Sequence, residues 1–351
     1  MVTLEELGGW PAVLGPLCTG RDLSRAEASA AMSDVLRGDA SPAQIAAFAV
    51  ALRIKGETVE ELAGLVSAML EFAERVPLGP GVVASVIDTC GTGGDRSGTI
   101  NVSTIAAFVA AGAGAIVCKH GGRAASSQAG SADVLEALGV VIDLGPEGVA
   151  ACIEQAGMGF CFAPRFHPAM RHAVPVRRDL GVPTVFNFLG PMANPARVRR
   201  QVMGVSDHTM AEKVLGVLEA NGAEHALVVY GHDGLDELTT VGSSTVHELC
   251  EGKVTSYVVD PTELGLAPAS RADLAGGDAA ANAASARAVL EGAAGSQRDI
   301  VVLNAGAALV AAGLATGLGD GVAAAQGAID NGRARGVLDA LIRVSKAVAA
   351  G

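Results

Sequence analysis

Two glycine-rich segments of the chain carry groups suited to a phosphorylated ligand. The first, Asp88–Thr104 (DTCGTGGDRSGTINVST), lies between an apolar run and a helix-like run, and backbone N–H groups at a helix start favour an anion. The second, Lys119–Gly130 (KHGGRAASSQAG), supplies a lysine charge and hydroxyl donors. The alternatives are a tight turn for the first and a strand end for the second. Two such loops after successive strands indicate one ligand site, because open α/β sheets bind ligands at that edge.

Adjacent carboxylates at Asp236 and Glu237 (DGLDELTT) follow a later apolar run. Magnesium commonly takes one or two carboxylates together with phosphate oxygens and waters, so this pair suits a magnesium site beside a phosphate. The alternative is an acidic helix N-terminus. His167 and His172 are five positions apart, unlike helical metal ligands, and we interpret them as structural. No Ser/His/Asp arrangement or nucleophile elbow appears, so we expect no catalytic residue acting as a covalent nucleophile.

Composition narrows the classes of function. The chain has 351 residues, half of them apolar and 3% aromatic, and a formal net charge of −12. This acidity disfavours generic nucleic-acid binding, so we expect no nucleic-acid partner and interpret the basic cluster around Arg171–Arg200 as a solvated face. The six cysteines form no CxxC pair and are typical of reduced thiols in a cytoplasmic protein. The sequence shows no secretory signal and no apolar run long enough for a bilayer, so we expect no membrane association.

The first 78 residues are predicted to form a helical domain. Helix-start patterns recur as Ser24 with Glu27, Ser41-Pro42 with Gln44, and Thr58 with Glu61. Apolar residues then follow at helical spacing, and no strand candidate appears before about residue 80.

From residue 79 onward short apolar runs alternate with helical stretches, which predicts an α/β domain with a central parallel or mixed sheet. We assign residues 79–166 and 189–351 to this domain and expect residues 167–188 to rejoin the N-terminal helices. The segment 183–200 is interpreted as a long connecting loop. The predicted strands are Val82–Asp88, Ala115–Lys119, Val140–Leu144, Gly159–Ala163, Ala226–Tyr230 and Asp299–Asn304. The predicted helices between them include Thr104–Gly112, Ala132–Leu138 and Met210–Ala220.

Several motifs in one order resemble anthranilate phosphoribosyltransferase. They are GTGGD, NVST, KHGGRAASS, GSADVLEALG, FAPRFHPAMRHAVPVRRDLGVPTVFNFLGP and DGLDELT. The resemblance is dense from Asp88 to Thr240, and LAGGDAAANAASARAVLEG with DIVVLNAGAAL extends it toward the C-terminus. It implies a small helical domain joined to a larger α/β domain of the nucleoside phosphorylase/phosphoribosyltransferase class, in a homodimer built through the helical parts. It also implies magnesium-dependent transfer of phosphoribose from phosphoribosyl pyrophosphate to anthranilate in tryptophan biosynthesis.

The resemblance carries roles to individual positions. Arg177 would face the anthranilate carboxylate, and Ser103, Asp236 and Glu237 would coordinate Mg²⁺. The other residues predicted to bind substrate are Gly91, Gly94, Asp95, Thr99, Asn101, Val102, Ser103, Thr104, Lys119, His120, Gly121, Gly122, Arg123, Ala124, Ala125, Ser126, Ser127 and Ser131.

Two positions depart from the family pattern. Gly122 stands where the pattern Lys-His-Gly-Asn-Arg has asparagine, and Arg96 stands where a glycine commonly follows GTGGD. The first departure leaves open a substituted aminobenzoate as acceptor. The remaining alternatives are a pyrimidine-nucleoside phosphorylase, which fits DGLDELT and VRRDLGVPTVFN less well, and a non-catalytic paralogue that binds nucleic acid.

Overall fold

A computed structural model describes residues 2–95, 97–124 and 128–351. Four helices come first: α1 (Trp10–Cys18), α2 (Arg25–Arg37), α3 (Pro42–Lys55) and α4 (Val59–Phe72). The predicted helix starts are confirmed, because Ser24, Ser41 and Thr58 each accept a hydrogen bond from the backbone N–H three residues later in a reciprocal capping box. No strand precedes residue 86 within the described residues.

The α/β part opens with α5 (Pro80–Ser85), β1 (Val86–Gly91), α6 (Val102–Gly112), β2 (Ile116–Gly121), α7 (Ser131–Leu138), α8 (Pro146–Ala156) and β3 (Met158–Phe162). Three short helices follow, α9 (Ala163–Phe166), α10 (Val174–Leu180) and α11 (Phe186–Met192). Next come β4 (Arg200–Gly204), α12 (Ala211–Ala220), β5 (His225–Gly231), β6 (Ser244–Cys250) and β7 (Lys253–Val259). The chain closes with α13 (Ala279–Leu290), α14 (Ser296–Ala311), α15 (Leu318–Asp330) and α16 (Arg333–Ala350).

The seven strands form one mixed sheet in the order β3-β2-β1-β4-β5-β6-β7. The first five are parallel, with pairs such as Cys90 with Met203 and Lys119 with Phe160. β6 pairs antiparallel with β5, and β7 pairs antiparallel with β6. The chain builds outward from β1 to β3 and then crosses back to β4. The order in which the chain adds strands to the sheet therefore reverses between β1 and β4. α/β sheets bind ligands at such a switch point.

Two hydrophobic cores cover the two faces of the sheet. One face packs against α6–α8 and α13–α16, and the other packs against the N-terminal helices together with α10–α12. Alternate strand residues point to opposite cores, as Val202 and Met203 of β4 show. The α10–α11 segment shares its core with the N-terminal helices. The division into residues 1–78 with 167–188, and 79–166 with 189–351, stays a prediction.

The predicted elements fit in part. Ala115–Lys119, Gly159–Ala163 and Ala226–Tyr230 lie in β2, β3 and β5 within one residue or two, and the three predicted helices match α6, α7 and α12. The predicted strand Val82–Asp88 is wrong in its first half, because α5 runs to Ser85. None of the described helices is both long and apolar enough to cross a lipid bilayer.

Two predicted strands are wrong outright. Asp299–Asn304 lies in α14, whose residues 300–311 are all buried, so its apolar run reflects burial on every side of a helix. Val140–Leu144 forms no strand, because the Val141 N–H donates to Ser345 of α16 instead of a neighbouring strand. The segment 183–200 is no uniform loop, since it contains α11. Three strands escaped prediction: β4 is short, and the partly exposed β6 and β7 mix polar and apolar residues without regular alternation.

Candidate active site at the carboxyl edge of the sheet

Lys119, near the end of β2, lies at the centre of the candidate site. Its side chain is 1% exposed, and its ammonium group donates to the carbonyl of Thr89 at 2.5 Å and to the Ser103 hydroxyl at 3.2 Å. Asp88, fully buried in β1, interacts electrostatically with the same lysine. Burial raises the pKa of the Asp88 carboxyl to about 6, and the Lys119 charge opposes that rise. The lysine is therefore fixed by β1 and by the start of α6.

The carboxylates predicted to bind metal reach the same place. The Glu237 carboxylate accepts from the Ser103 N–H at 3.1 Å, and Asp236 accepts from the Gly93 N–H at 2.7 Å. Burial raises the pKa of both carboxyls, and repulsion among Asp236, Glu237 and Asp95 raises it further. The Lys119 charge only partly offsets this repulsion. The three carboxyl groups therefore favour the binding of an additional cation. Ser103, Asp236 and Glu237 are thus brought together, as predicted.

Asp236 also explains two glycines. A Cβ atom at Gly91 would lie 2.4 Å from the Asp236 carboxylate, and one at Gly204 would lie 1.6 Å from the Asp236 carbonyl oxygen. Gly91 lies directly against Asp236, and the lack of a side chain at Gly91 leaves room for the Asp236 carboxylate. In the following loop, Gly93 and Gly94 have φ values of +66° and +84°, which favour glycine.

The loop after β1 is held by two outside contacts and one internal hydrogen bond. Thr99 forms an isolated bridge with Ala275, and Ser206 donates its hydroxyl to the Gly93 carbonyl at 3.2 Å. Asp95 accepts from the Ser97 N–H at 3.3 Å. Arg96 lies outside the described residues, so its predicted effect on this loop stays open.

At the start of α6 the amide of Asn101 contacts protein on both sides. Its nitrogen donates to the Ala129 carbonyl at 3.0 Å, and its oxygen accepts from Asn282 at 2.8 Å. Val102 is buried, and the Thr104 hydroxyl donates to Ser131 at 3.0 Å. Asn101 and Thr104 therefore tie the start of α6 to the segment after β2, and Ser103 between them contacts Lys119.

The first residues after β2 make their contacts with α7. Arg123 forms ion pairs with Asp133 at 2.8 Å and with Glu136 at 2.5 Å, so its charge is matched by α7 and does not join the Lys119 cluster. The Ala124 N–H donates to Asp133, and the Gly122 carbonyl accepts from Ala132. The predicted contacts Ala125, Ser126 and Ser127 lie outside the described residues.

His120, at the end of β2, faces α11, whereas a Cβ atom at Gly121 would meet Phe160 and Ser131. The His120 ring contacts the carbonyl of Gly190 at 3.1 Å through Nδ1, while its buried Nε2 has no hydrogen-bond partner among the described residues. Burial holds the pKa of His120 well below its usual value, so the ring is neutral. His167, predicted to be structural, packs 5.0 Å from this ring and contacts the Ala193 carbonyl.

Arg177 has a free charge. It lies half-buried on α10, and its guanidinium carbon is 6.0 Å from the ring centre of Phe186. Its side chain forms no hydrogen bond or ion pair with the described residues. Burial lowers the pKa of its side chain. Because α11 touches Arg177 through Phe186 and His120 through Gly190, it links this charge to the end of β2. An unpaired, partly desolvated guanidinium suits a ligand carboxylate.

The sequence interpretation missed the residues that hold the loops. Asn304 of α14 accepts from the Leu238 N–H and donates to the Leu238 carbonyl, which fixes the chain directly after Glu237. Asn194 donates to Asp88 and to the Cys118 carbonyl, which ties β1 to β2. Each is a polar residue in an apolar or glycine-rich surrounding, and that contrast was the available signal.

Comparison with known proteins finds relatives that match nearly the whole chain. Residues 83–335 match the family model described as the glycosyl transferase family, a/b domain, and residues 11–73 match that of its helical bundle domain. An anthranilate phosphoribosyltransferase of Salinispora arenicola is 50% identical over 344 residues, covering 97% of each chain. The solved structure of the Thermus thermophilus enzyme is 43% identical with a TM-score of 0.90, covering 95% of this chain and 99% of that one. The Saccharomyces cerevisiae enzyme, solved in complex with phosphoribosyl pyrophosphate and magnesium, is 26% identical with a TM-score of 0.88 and covers 96% of this chain and 98% of that one.

The fold and the two matching domain models define a glycosyl transferase. Within that class, the chain belongs to the anthranilate phosphoribosyltransferase family.

Proposed function

We propose that the chain transfers phosphoribose from phosphoribosyl pyrophosphate to the amine of anthranilate, giving N-(5-phosphoribosyl)anthranilate and pyrophosphate in tryptophan biosynthesis. The observation that carries this proposal is the cluster of Lys119, Ser103 and Glu237 at the switch point of the sheet. It combines a fixed cation, a helix start and a cation-seeking carboxylate beside a glycine loop. Together these groups can stabilise the negative charge that develops on a pyrophosphate leaving group.

The donor lies, in this proposal, against the loop after β1 and the start of α6. The backbone of Gly94 and the positive end of the dipole of the eleven-residue α6 favour phosphate oxygens there, and Lys119 supplies charge. Asn101, Ser103 and Thr104 align that helix start with the end of β2. Arg123 contributes less than the sequence predicted, since α7 already neutralises it.

The residues present fit Mg²⁺. Ser103, Asp236 and Glu237 offer hard oxygen donors, and the repulsion among the carboxylates leaves an excess of negative charge. No group of three or more His, Cys, Asp or Glu side chains in the described ranges is arranged to hold a metal ion by itself. The proposed site therefore joins two carboxylates to the oxygens of the pyrophosphate. When bound, Mg²⁺ neutralises charge that develops on the departing pyrophosphate.

The chain's own residues then position two reactants. The amine nitrogen forms a bond to C1 of the ribose, the bond from C1 to the pyrophosphate oxygen breaks, and the nitrogen loses a proton. The neutral amine needs no activated side chain, so catalysis depends on alignment and on stabilising the leaving group. Lys119 acts on the leaving group, and the neutral His120 ring lies beside the acceptor.

Arg177 is proposed to bind the acceptor carboxylate. We expect Arg177→Ala to raise the KM for anthranilate about ten- to a hundredfold, because a charge-assisted pair contributes roughly 1.5–3 kcal/mol. The KM for phosphoribosyl pyrophosphate should change little. Steady-state kinetics with each substrate varied in turn measures both. The matched control is Arg178→Ala, which removes a neighbouring arginine that is 79% exposed. A rise in the donor KM instead would assign Arg177 to the phosphate site.

Gly122 is proposed to widen the acceptor site. A Cβ atom there would meet nothing closer than the Ala163 side chain at 4.0 Å, and its backbone is outside the left-handed region, so asparagine fits. We expect Gly122→Asn to lower the KM for anthranilate about two- to tenfold, the value of one neutral hydrogen bond, and to impair ring-substituted aminobenzoates.

The control for this substitution is Gly122→Ala, which fills space without adding an amide. If alanine reproduces the effect of asparagine, or if anthranilate and its analogues respond equally, position 122 shapes the loop and not the acceptor pocket. The same assay, run on the wild-type chain with 2-, 3- and 4-aminobenzoate and ring-substituted anthranilates, tests the proposed acceptor. We expect anthranilate to have the highest kcat/KM, and a higher value for a substituted aminobenzoate would favour that alternative.

A homodimer through the helical part is also proposed. Ile54 of α3 is 82% exposed. Val174 of α10, which packs against α3, and Val182 just after α10 are each more than half exposed. Such exposed apolar residues suit a protein interface. We expect sedimentation analysis to show a dimer that Ile54→Glu weakens. The control is Val258→Glu on β7, a similarly exposed site in the α/β part. An unchanged dimer in the Ile54 variant, or a monomeric wild type, would contradict this interface.

A cytoplasmic location and the lack of a nucleic-acid partner stay predictions. All six cysteines are free thiols, and the sulfur atoms of Cys118 and Cys161 lie 3.4 Å apart without a bond. This supports a reducing compartment.

A further inference from the structure

Asn282 is a buried amide in the segment LAGGDAAANAASARAVLEG, and no role is assigned to it above. It lies in the first turn of α13, is 3% exposed, and uses both ends of its side chain. Its oxygen accepts from the Gly277 N–H at 2.7 Å, and its nitrogen donates to the Asn101 oxygen at 2.8 Å. The chain around it also docks on the donor loop, since Gly276 donates to the Gly98 carbonyl at 2.8 Å and Ile100 donates to Leu274 at 3.1 Å.

The lack of a side chain at Gly276 leaves room for the Asn282 amide. A Cβ atom at Gly276 would lie 2.6 Å from the Asn282 oxygen and 2.7 Å from the Thr99 carbonyl. Gly276 has no positive φ, so its backbone does not demand glycine. The close approach of Asn282 and residues 99–100 does.

The contact sets the orientation of Asn101. A primary amide has distinct donor and acceptor ends, and a bond from the Asn282 nitrogen fixes which end is which. With its oxygen facing Asn282, Asn101 directs its nitrogen to the Ala129 carbonyl at 3.0 Å. Asn101 precedes α6 yet makes no side-chain cap to it, so its amide is committed to these lateral bonds. The chain Asn282–Asn101–Ala129 thus joins α13, the α6 start and the loop after β2.

We propose that Asn282 is a positioning residue for phosphoribosyl pyrophosphate, acting through Asn101 to hold the two donor loops in register. The inference rests on the proposed function and adds a residue that does not itself touch substrate. It places part of donor affinity in α13, nearly two hundred positions along the chain from the loops it aligns.

The test is a double-mutant cycle of Asn282→Ala and Asn101→Ala, read as the KM for each substrate. We expect Asn282→Ala to raise the donor KM about two- to tenfold, the equivalent of one hydrogen bond, and the anthranilate KM less than twofold. In the Asn101→Ala background the same substitution should have no further effect on the donor KM. A residue important only for stability would lower the melting temperature and leave these constants in place.

Two further variants complete the cycle. Asn282→Asp keeps the acceptor for Gly277 but loses the donor to Asn101, so it should reproduce the donor effect with a preserved fold even if the alanine variant does not fold. Asn221→Ala is the control, because it removes a partly buried amide paired with Arg25 on the other core, and its donor KM should match wild type.

Additive donor effects in the double variant, or a wild-type donor KM in Asn282→Asp, would overturn the role of Asn282. If the wild-type chain itself neither binds nor uses phosphoribosyl pyrophosphate, the proposed function fails as well. The wild-type control therefore distinguishes the two failures.

Discussion

Replacing Asp236 and Glu237 together by Asn and Gln is expected to lower turnover by about a hundred- to a thousandfold while raising thermal stability. The isosteric amides keep acceptors for the N–H groups of Gly93 and Ser103 but remove the charge that a bound cation requires. Losing one preorganised electrostatic contact to a transition state costs about 2.7–4 kcal/mol.

The gain in stability follows from the raised pKa of these carboxyls. A raised pKa means that the ionised form is disfavoured in the folded protein, so neutral isosteres relieve a burial and repulsion cost. Steady-state kinetics and thermal melts without Mg²⁺ measure the two effects. Asp260→Asn, which weakens the charged cap of a short turn, is the control and should leave turnover unchanged without raising stability. Full activity in the double variant, or activity that persists in excess chelator, would refute the metal assignment.

Lys119→Met is expected to weaken phosphoribosyl pyrophosphate binding about ten- to a hundredfold and to leave the fold intact. Methionine keeps most of the apolar stem in this buried position, and a charge-assisted contact contributes roughly 1.5–3 kcal/mol. Asp88 loses a favourable charge, so the pKa of its carboxyl rises further and it becomes protonated instead of remaining an unpaired buried anion.

Calorimetry with the donor measures this loss directly. The matched control is Lys55→Met, since Lys55 is also buried but pairs with Asp22 and Glu61 in the helical part. That control should lower stability and leave donor binding unchanged. Unaltered donor binding by Lys119→Met would show that the segment after β2 does not hold the pyrophosphate.

Local chemistry made much of this fold predictable from the sequence. The capping boxes at Ser24, Ser41 and Thr58 depend on residues only three positions apart, and the structure forms all three. The buried parallel strands β2, β3 and β5 appear as continuous apolar runs. The same rule misassigned Asp299–Asn304, because a helix buried on every side has the same texture.

Long-range contacts were beyond the sequence. The convergence of Ser103, Asp236 and Glu237 came from a resemblance, and no spacing rule would have joined positions more than 130 residues apart. Gly91 was predicted to bind substrate. The structure gives a further reason for glycine there, because the Asp236 carboxylate occupies the space beside it. Asn282 and Asn304 lie in segments that extend the resemblance, but the sequence assigned them no role, because their partners are backbone groups and amides brought near only by the fold.

The most direct measurement of the central claim is a balanced product assay of the purified wild-type chain with phosphoribosyl pyrophosphate, anthranilate and Mg²⁺. We predict one N-(5-phosphoribosyl)anthranilate, identified by mass spectrometry, for each pyrophosphate released, with product formation abolished by chelator and restored by added Mg²⁺. Pyrophosphate release without the ribosylated amine, or no consumption of anthranilate under these conditions, would contradict the account.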